Sequence, residues 1–260
     1  RDLRLYDNCG LYHALKGGRP VLPVFIFDTN ILDELKDADD PRVHFIHEQV
    51  RGLQQQLNKA GTSLWVRCGE PVQVFRELLE HFPVESVYTN HDYEPYATKR
   101  DQAVHDLLAE HGVTLHTFKD QVIFEHSEVV KDDGKPYTVF TPYSKRWHKA
   151  FTDQAVESYP SEELQDHFLQ NVNWGLPTLA SMGFQPTSIP FPPKKINVQL
   201  IQHYHETRNF PSLNGTSRLS VHLRFGTISI RELVKMAKDL NSTFLNELIW
   251  RDFYQMILWH

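Results

Sequence analysis

The sequence predicts an α/β amino-terminal half with a doubly wound parallel sheet, a long connector, and then the start of an all-α region. Three observations carry this. Strand-like and helix-like segments alternate from residue 21 to residue 120, the pattern of β/α units with parallel strands. The run VLPVFIFD (21–28) is almost wholly apolar, as a strand covered on both faces must be. From about residue 196 helical periodicity takes over and no strand run remains.

Taken in order, NCGLYHALKGG (8–18) is a short helix capped by Asp7 or Asn8 and stopped by glycines. A strand at 21–28 precedes a periodic helix at 43–61 with a Gly stop. SLWVRCG (63–69) is a strand, and PVQVFRELLEHF (71–82) a helix with Pro in its first turn. VESVYTN (84–90) is a strand, the stretch 94–112 a helix, and VTLHTFKD (113–120) a strand. Proline, serine and charge then dominate to residue 195, with one short helix near 143–151. The aromatics Tyr137, Phe140, Tyr143 and Trp147 argue that this connector packs over the sheet domain and is no loose tether. The expected division is 1–125, 126–195 and 196–260, the last with helices in NVQLIQHYHETRNF, TSRLSVHLRFGTIS, IRELVKMAKDLN and STFLNELIWRDFYQMILWH.

Composition narrows the function. A content of 40% hydrophobic and 12% aromatic residues supports a sizeable core and excludes global disorder. A formal charge of −6 argues against a uniformly basic nucleic-acid coat. A local patch remains open, because residues 201–260 hold 7 Lys/Arg against 5 Asp/Glu. No apolar run is long enough to cross a bilayer, and the opening has no signal-peptide pattern. Cys9 and Cys68 lack metal spacing and read as reduced cytoplasmic thiols. The pairs His44/His47 and His203/His205 have no nearby third ligand, so no metal site is expected. There is no G-x-G-x-x-G or G-x-x-x-x-G-K-[ST] fingerprint. Both ends, Arg1 and an apolar helix without a stop signal, read as those of a piece of a longer protein.

Two strings carry chemistry. In NELIWRDFY (246–254), helical spacing puts Glu247, Trp250, Arg251 and Tyr254 on one stripe opposite an apolar face. A Trp face stacks on bases, a carboxylate hydrogen-bonds a pyrimidine edge, and a guanidinium holds a phosphate. The plain structural alternative is a Glu–Arg pair four residues apart beside a partly buried Trp. Asp252 falls in the apolar sector and requires hydrogen-bond partners. In NGTSRLS (214–220), Thr216, Ser217 and Ser220 hydroxyls, a helix start and Arg218 suit a pyrophosphate. The alternative there is an ordinary helix cap with a surface arginine.

RDLRLYDN at the start, GTSRLSVHLRFGTIS in the middle and NELIWRDFY near the end occur in the order and spacing of one family. NHDYEPYATKRD and VFTPYSKRW fit the same pattern. Across essentially the whole chain the sequence resembles the photolyase/cryptochrome family, most of all its branch acting on cyclobutane pyrimidine dimers. The resemblance implies an α/β antenna domain followed by a helical domain that binds FAD in a bent shape. It places Tyr204, Thr216, Ser217, Arg218, Leu219, Ser220, Phe244, Glu247 and Arg251 at the cofactor. It places Arg208 and the run Glu247, Leu248, Ile249, Trp250, Arg251, Asp252, Phe253 and Tyr254 at DNA, with Glu247 and Trp250 as the catalytic pair. The implied activity is light-driven repair of dimers in ultraviolet-damaged DNA by a cytoplasmic monomer, through electron transfer from excited reduced FAD.

Relatives also begin with an apolar strand ahead of RDLRL, which would be central in the sheet, and continue well past the last residue here. Stable FAD binding and repair by residues 1–260 alone are therefore not expected. Folate-using relatives have Asn-Glu where this chain has Tyr96-Ala97, which weakens folate as the second antenna chromophore. A deazaflavin, a second flavin or an empty antenna site stay open. The competing readings are a cryptochrome photoreceptor without repair and a nucleotide-binding α/β module without photochemistry. Retention of both Glu247 and Trp250 favours repair.

Overall fold

A computed structural model describes residues 1–260. The chain opens with α1 (Cys9–Lys16), capped by Asn8, whose side-chain oxygen accepts from the Leu11 amide. Then come β1 (Val24–Asp28), α2 (Thr29–Leu32), α3 (Pro41–Lys59), β2 (Trp65–Gly69), α4 (Pro71–His81), β3 (Ser86–Asn90), α5 (Pro95–Glu110) and β4 (Thr114–Phe118). Proline opens α3, α4 and α5, where the missing amide hydrogen costs no helical bond. The one-turn helix α2 has no sequence signal beyond Asp28, which caps it.

All strand pairing is parallel, as the β/α alternation requires. The strands form two couples. β1 pairs with β2 from Val24–Trp65 to Asp28–Gly69, and β3 pairs with β4 from Ser86–Thr114 to Asn90–Phe118. β1 and β3 are each paired on one edge only, and both line a slot of 780 Å³.

The connector returns over the α/β half. Val21 bridges Phe168 in parallel, and Phe168 is buried with Leu3, Leu15 and Phe27. Its only α-helix is α6 (Phe140–Ala150), flanked downstream by 3-10 turns at 153–156, 161–167 and 180–182. The remaining helices are α7 (Val198–Gln202), α8 (Tyr204–Thr207), α9 (Ser220–Phe225), α10 (Ile230–Leu240) and α11 (Ser242–Trp259). One apolar core unites Ile123, just after β4, and Tyr143 and Trp147 of the connector with Leu233, Ile249 and Phe253.

The helix expected across TSRLSVHLRFGTIS is shorter than its string. It starts only at Ser220, with Leu219 at the cap position and no side-chain cap. Ser217 Oγ accepts from the Leu219 amide at 3.5 Å, and Arg218 takes a left-handed φ of 53°. The hydroxyl signal read as a helix start therefore makes a local turn instead, a known competitor of the helix cap.

Two of the motifs behind the resemblance meet in space. Gly226 ends α9 with φ 64°, and a Cβ there would fall 1.8 Å from the Arg1 carbonyl. Glycine is the residue that permits both the conformation and the approach. The Leu3 amide donates to the Phe225 carbonyl at 3.1 Å. Beneath this contact lies a buried charge cluster. Arg4 donates to both oxygens of Asp120 at 2.7 and 2.9 Å. Arg231 donates to Asp120 Oδ1 at 2.9 Å and to Asp7 Oδ1 at 3.0 Å. Burial alone would raise the Asp120 carboxyl, but Arg4 and Arg231 hold it below the ordinary carboxylate range. Asp7 also takes the Tyr159 amide at 2.8 Å and the Ser229 hydroxyl, so the cluster joins the chain's start, the connector and α10.

Candidate functional site

The site is built on α11. Asn241 caps it, taking the Phe244 amide at 3.0 Å, and its own amide donates to Gln202 at 2.9 Å beside α8. Phe244, Leu245, Leu248, Ile249, Asp252, Phe253 and Met256 are buried, a repeat that turns one face of a 3.6-residue helix inward. The opposite stripe carries Glu247, Trp250 and Tyr254, with Arg251 on its flank. Glu247 and Trp250 are half-buried and Tyr254 is exposed.

The stripe does not hold together as a Glu–Arg pair. Glu247 pairs with Arg208, which caps the end of α8. Arg251 turns away and donates to the backbone carbonyls of Gln121 and, at 3.3 Å, Leu223. Its guanidinium is thus spent on the seam between connector and α9, and burial lowers its affinity for its proton. Tyr204 meets Phe244 edge-on with centroids 5.1 Å apart, and the Arg208 guanidinium lies 5.4 Å from the Tyr204 ring centre. Burial, with the Glu247 charge second, raises the Tyr204 phenol. Tyr204, Arg208 and Glu247 therefore form one surface between α8 and α11, with the buried Phe244 behind Tyr204.

The indole of Trp250 has a neighbour that sequence reasoning did not supply. Phe140, the first residue of α6, stacks on it with centroids 3.7 Å apart and planes 6° apart. Tyr254 stacks more distantly, at 5.5 Å and 26°. Phe140 was visible only as one of a row of connector aromatics, and nothing local links residue 140 to residue 250.

Four residues expected at DNA are corrected by burial. Leu248, Ile249 and Phe253 belong to the apolar core, and Asp252 is 1% exposed. Asp252 Oδ2 accepts from Trp147 Nε1 at 3.1 Å and from the amides of Ile123 and Phe124 at 3.2 and 3.3 Å. Its second oxygen has no partner. Burial raises its carboxyl to about 6, against the lowering effect of Arg251 and of these donors. It fastens the segment after β4 and α6 to α11.

The second expected cluster is displayed differently. Thr216, Arg218 and Ser220 are exposed and Ser217 is half-buried, whereas the Leu219 side chain is in the core. Gly215 is pressed against α8, where a Cβ would stand 2.7 Å from the Thr207 carbonyl oxygen. This sets the hydroxyl-rich turn beside Tyr204 and Arg208. Three hydroxyls and a guanidinium on one short exposed turn suit a pyrophosphate, and Tyr204 offers an aromatic face for a ring system, whereas Phe244, expected at the cofactor, is buried in the core behind it. The donor set fits a dinucleotide such as FAD along one side.

A family model described as DNA photolyase matches residues 1–162. The chain belongs to the DNA photolyase family. The photolyase match spans the whole α/β half and runs into the connector beyond α6. A deoxyribodipyrimidine photo-lyase of Halobacterium salinarum is 31% identical over 100% of this chain and 60% of its own length. Among solved structures, a bacterial class III photolyase from Agrobacterium tumefaciens superposes with a TM-score of 0.82 at 25% identity, covering 100% of this chain and 57% of that one. An archaeal photolyase from Sulfolobus tokodaii, solved with two FAD molecules, gives 0.74 at 25% identity over 100% and 58%. The chain thus spans about 60% of the length of the curated photolyases it matches.

Proposed function

We propose that the protein acts in light-driven repair of cyclobutane pyrimidine dimers in DNA, as a deoxyribodipyrimidine photo-lyase using FAD. The observation that carries this reading is the surface between α8 and α11. There a carboxylate and a guanidinium pair, and one turn further along α11 an indole stacks on Phe140 of α6, in a chain of the DNA photolyase family.

Bound reduced FAD would supply, on illumination, the electron that splits the dimer. The chain's own residues do the rest. Tyr204, Thr216, Ser217, Arg218 and Ser220 hold the cofactor, with Phe244 behind Tyr204. Trp250, backed by Phe140, takes the flipped dimer on its face, and flipping is cheapest where pairing is already damaged. The Glu247 carboxylate accepts hydrogen bonds from the pyrimidine edge and orients it. Arg208 holds Glu247 and faces the DNA phosphates. Arg251 and Asp252 position α11 from behind without touching substrate. A second antenna chromophore belongs to the α/β half, where Tyr96 donates to Asp28 at 2.6 Å. Cys9 and Cys68 are both free, as the reducing cytoplasm would keep them, and the protein works as a monomer.

The test is direct. The intact gene product, purified with its flavin, should remove dimers from ultraviolet-treated DNA under blue light and not in darkness. Flavin binding with no loss of dimers would favour a cryptochrome-type photoreceptor, and no flavin band would remove both readings.

A further inference from the structure

The carboxyl end of β3 and the turn after β4 bring together three side chains that the proposed reaction does not use. His91 Nδ1 lies 2.9 Å from Glu125 Oε2, and His126 Nε2 lies 3.9 Å from the same oxygen. The three ligand atoms fall within 4.8 Å of one another. Around a tetrahedral ion with bonds of about 2.0–2.1 Å, ligand atoms stand roughly 3.4 Å apart. The two separations of 2.9 and 3.9 Å fall on either side of that value, so small side-chain adjustments suffice.

A plain His–Glu hydrogen bond explains His91 and leaves two facts over. His126 Nε2 is buried and has no hydrogen-bond partner. His126 also holds a left-handed φ of 47°, strain that persists where surrounding structure enforces it and that gathers at binding sites. Its ring is clamped by Trp259, stacked at 3.8 Å and 23°. The other two ligands are also held. The His91 amide donates to the Phe118 carbonyl at 2.8 Å, extending the β3–β4 ladder. Tyr93 donates its hydroxyl to Glu125 Oε2 at 2.6 Å, the outer-sphere bond that fixes a ligating carboxylate. Asp252 grips the amides of Ile123 and Phe124 just ahead of Glu125.

We propose that His91, Glu125 and His126 bind a divalent transition-metal ion of the zinc class. Two imidazoles and one carboxylate are a donor set for such ions, and a fourth coordination position is left open. The ion ties the end of β3 to the connector turn on which the end of α11 rests. Residues 91 and 125 are 34 positions apart in the chain, so no local spacing announces such a site.

The test is a Co²⁺ titration of the chelator-treated protein, followed by displacement with Zn²⁺. The expected result is one equivalent bound, visible d–d absorption that Zn²⁺ abolishes, and at least tenfold weaker binding in His126→Ala and in His91→Ala. Far-UV circular dichroism of the metal-free proteins checks the fold. Should an alanine variant misfold, Glu125→Gln serves in its place, and Tyr93→Phe should weaken binding by about 10–100-fold without removing a ligand. No stoichiometric binding overturns the proposal. So does binding of unchanged affinity in the folded variants, which would mean adventitious capture by other histidines.

Discussion

Phe140 lies flat against Trp250, centroids 3.7 Å apart and planes 6° apart. The proposed stacking platform is therefore a pair of rings contributed by α6 and α11. An indole that is already stacked is held in one orientation before any base arrives, which reduces the ordering a ligand must impose. In the intact protein, Trp250→Ala should weaken binding to dimer-containing duplex by roughly 1–3 kcal/mol and leave binding to undamaged duplex nearly unchanged. Phe140→Ala keeps the indole but removes its support, so a smaller loss of the same selectivity is expected. Equilibrium titration against the two duplexes checks both, and equal losses on both would remove the stacking role.

Glu247 and Arg208 separate two tasks that share one ion pair. Removing the carboxylate should lower the number of dimers split per absorbed photon while flavin stays bound. Glu247→Ala is read by quantum yield together with the flavin spectrum. Removing the guanidinium should instead weaken binding to all duplexes alike and reduce the slope of affinity against salt by about one. An Arg208→Ala variant with unchanged salt dependence would mean that Arg208 serves Glu247 and never meets a phosphate.

The α/β half was legible because its signals are local. Apolar strand runs, prolines at the openings of α3, α4 and α5, and Asn8 as the cap of α1 each act within a few residues. What escaped was contact between distant segments. Arg251 has the spacing to pair with Glu247, yet its guanidinium goes to the Gln121 and Leu223 carbonyls. Helical spacing says which residues share a stripe and not which neighbour bids for each. Asp252 was rightly in need of partners, but Trp147 lies 105 positions earlier. The start of α9 failed for another reason. Ser217 has the chemistry of a cap and used it on the turn around Arg218.

Arg231 is the hinge of the buried charge cluster, and its loss should be costly. Its guanidinium meets Asp7 and Asp120 at about 4% exposure. Removing one partner of such a cluster leaves uncompensated buried charge, typically about 3–5 kcal/mol. Arg231→Ala should therefore lower the midpoint of urea unfolding markedly. An Arg231→Ala, Asp7→Asn double variant should recover part of the loss, because it also removes one of the stranded carboxylates. A double variant no better than the single one would show that the Arg231 stem, and not its charge, carries the effect.

Asp252 predicts a pH dependence whose sign follows from its burial. Its carboxyl stands at about 6 in the fold against an ordinary value of 3.8. A carboxyl raised on folding binds its proton more tightly in the native state than in the unfolded one. The stability it contributes is fully present below about pH 3.8 and is lost as pH rises through about 6. Each pH unit across that window is worth about 1.4 kcal/mol, so the loss is on the order of 3 kcal/mol. Asp252→Asn keeps an oxygen for Trp147 and the amides of Ile123 and Phe124 and carries no charge to bury. Its stability should vary less between pH 4 and pH 6 than that of the unaltered protein, and it should be the more stable of the two at pH 7. Urea unfolding of both proteins at several pH values measures the difference. Parallel curves would show that the donors around Oδ2 outweigh burial and keep the carboxylate charged throughout.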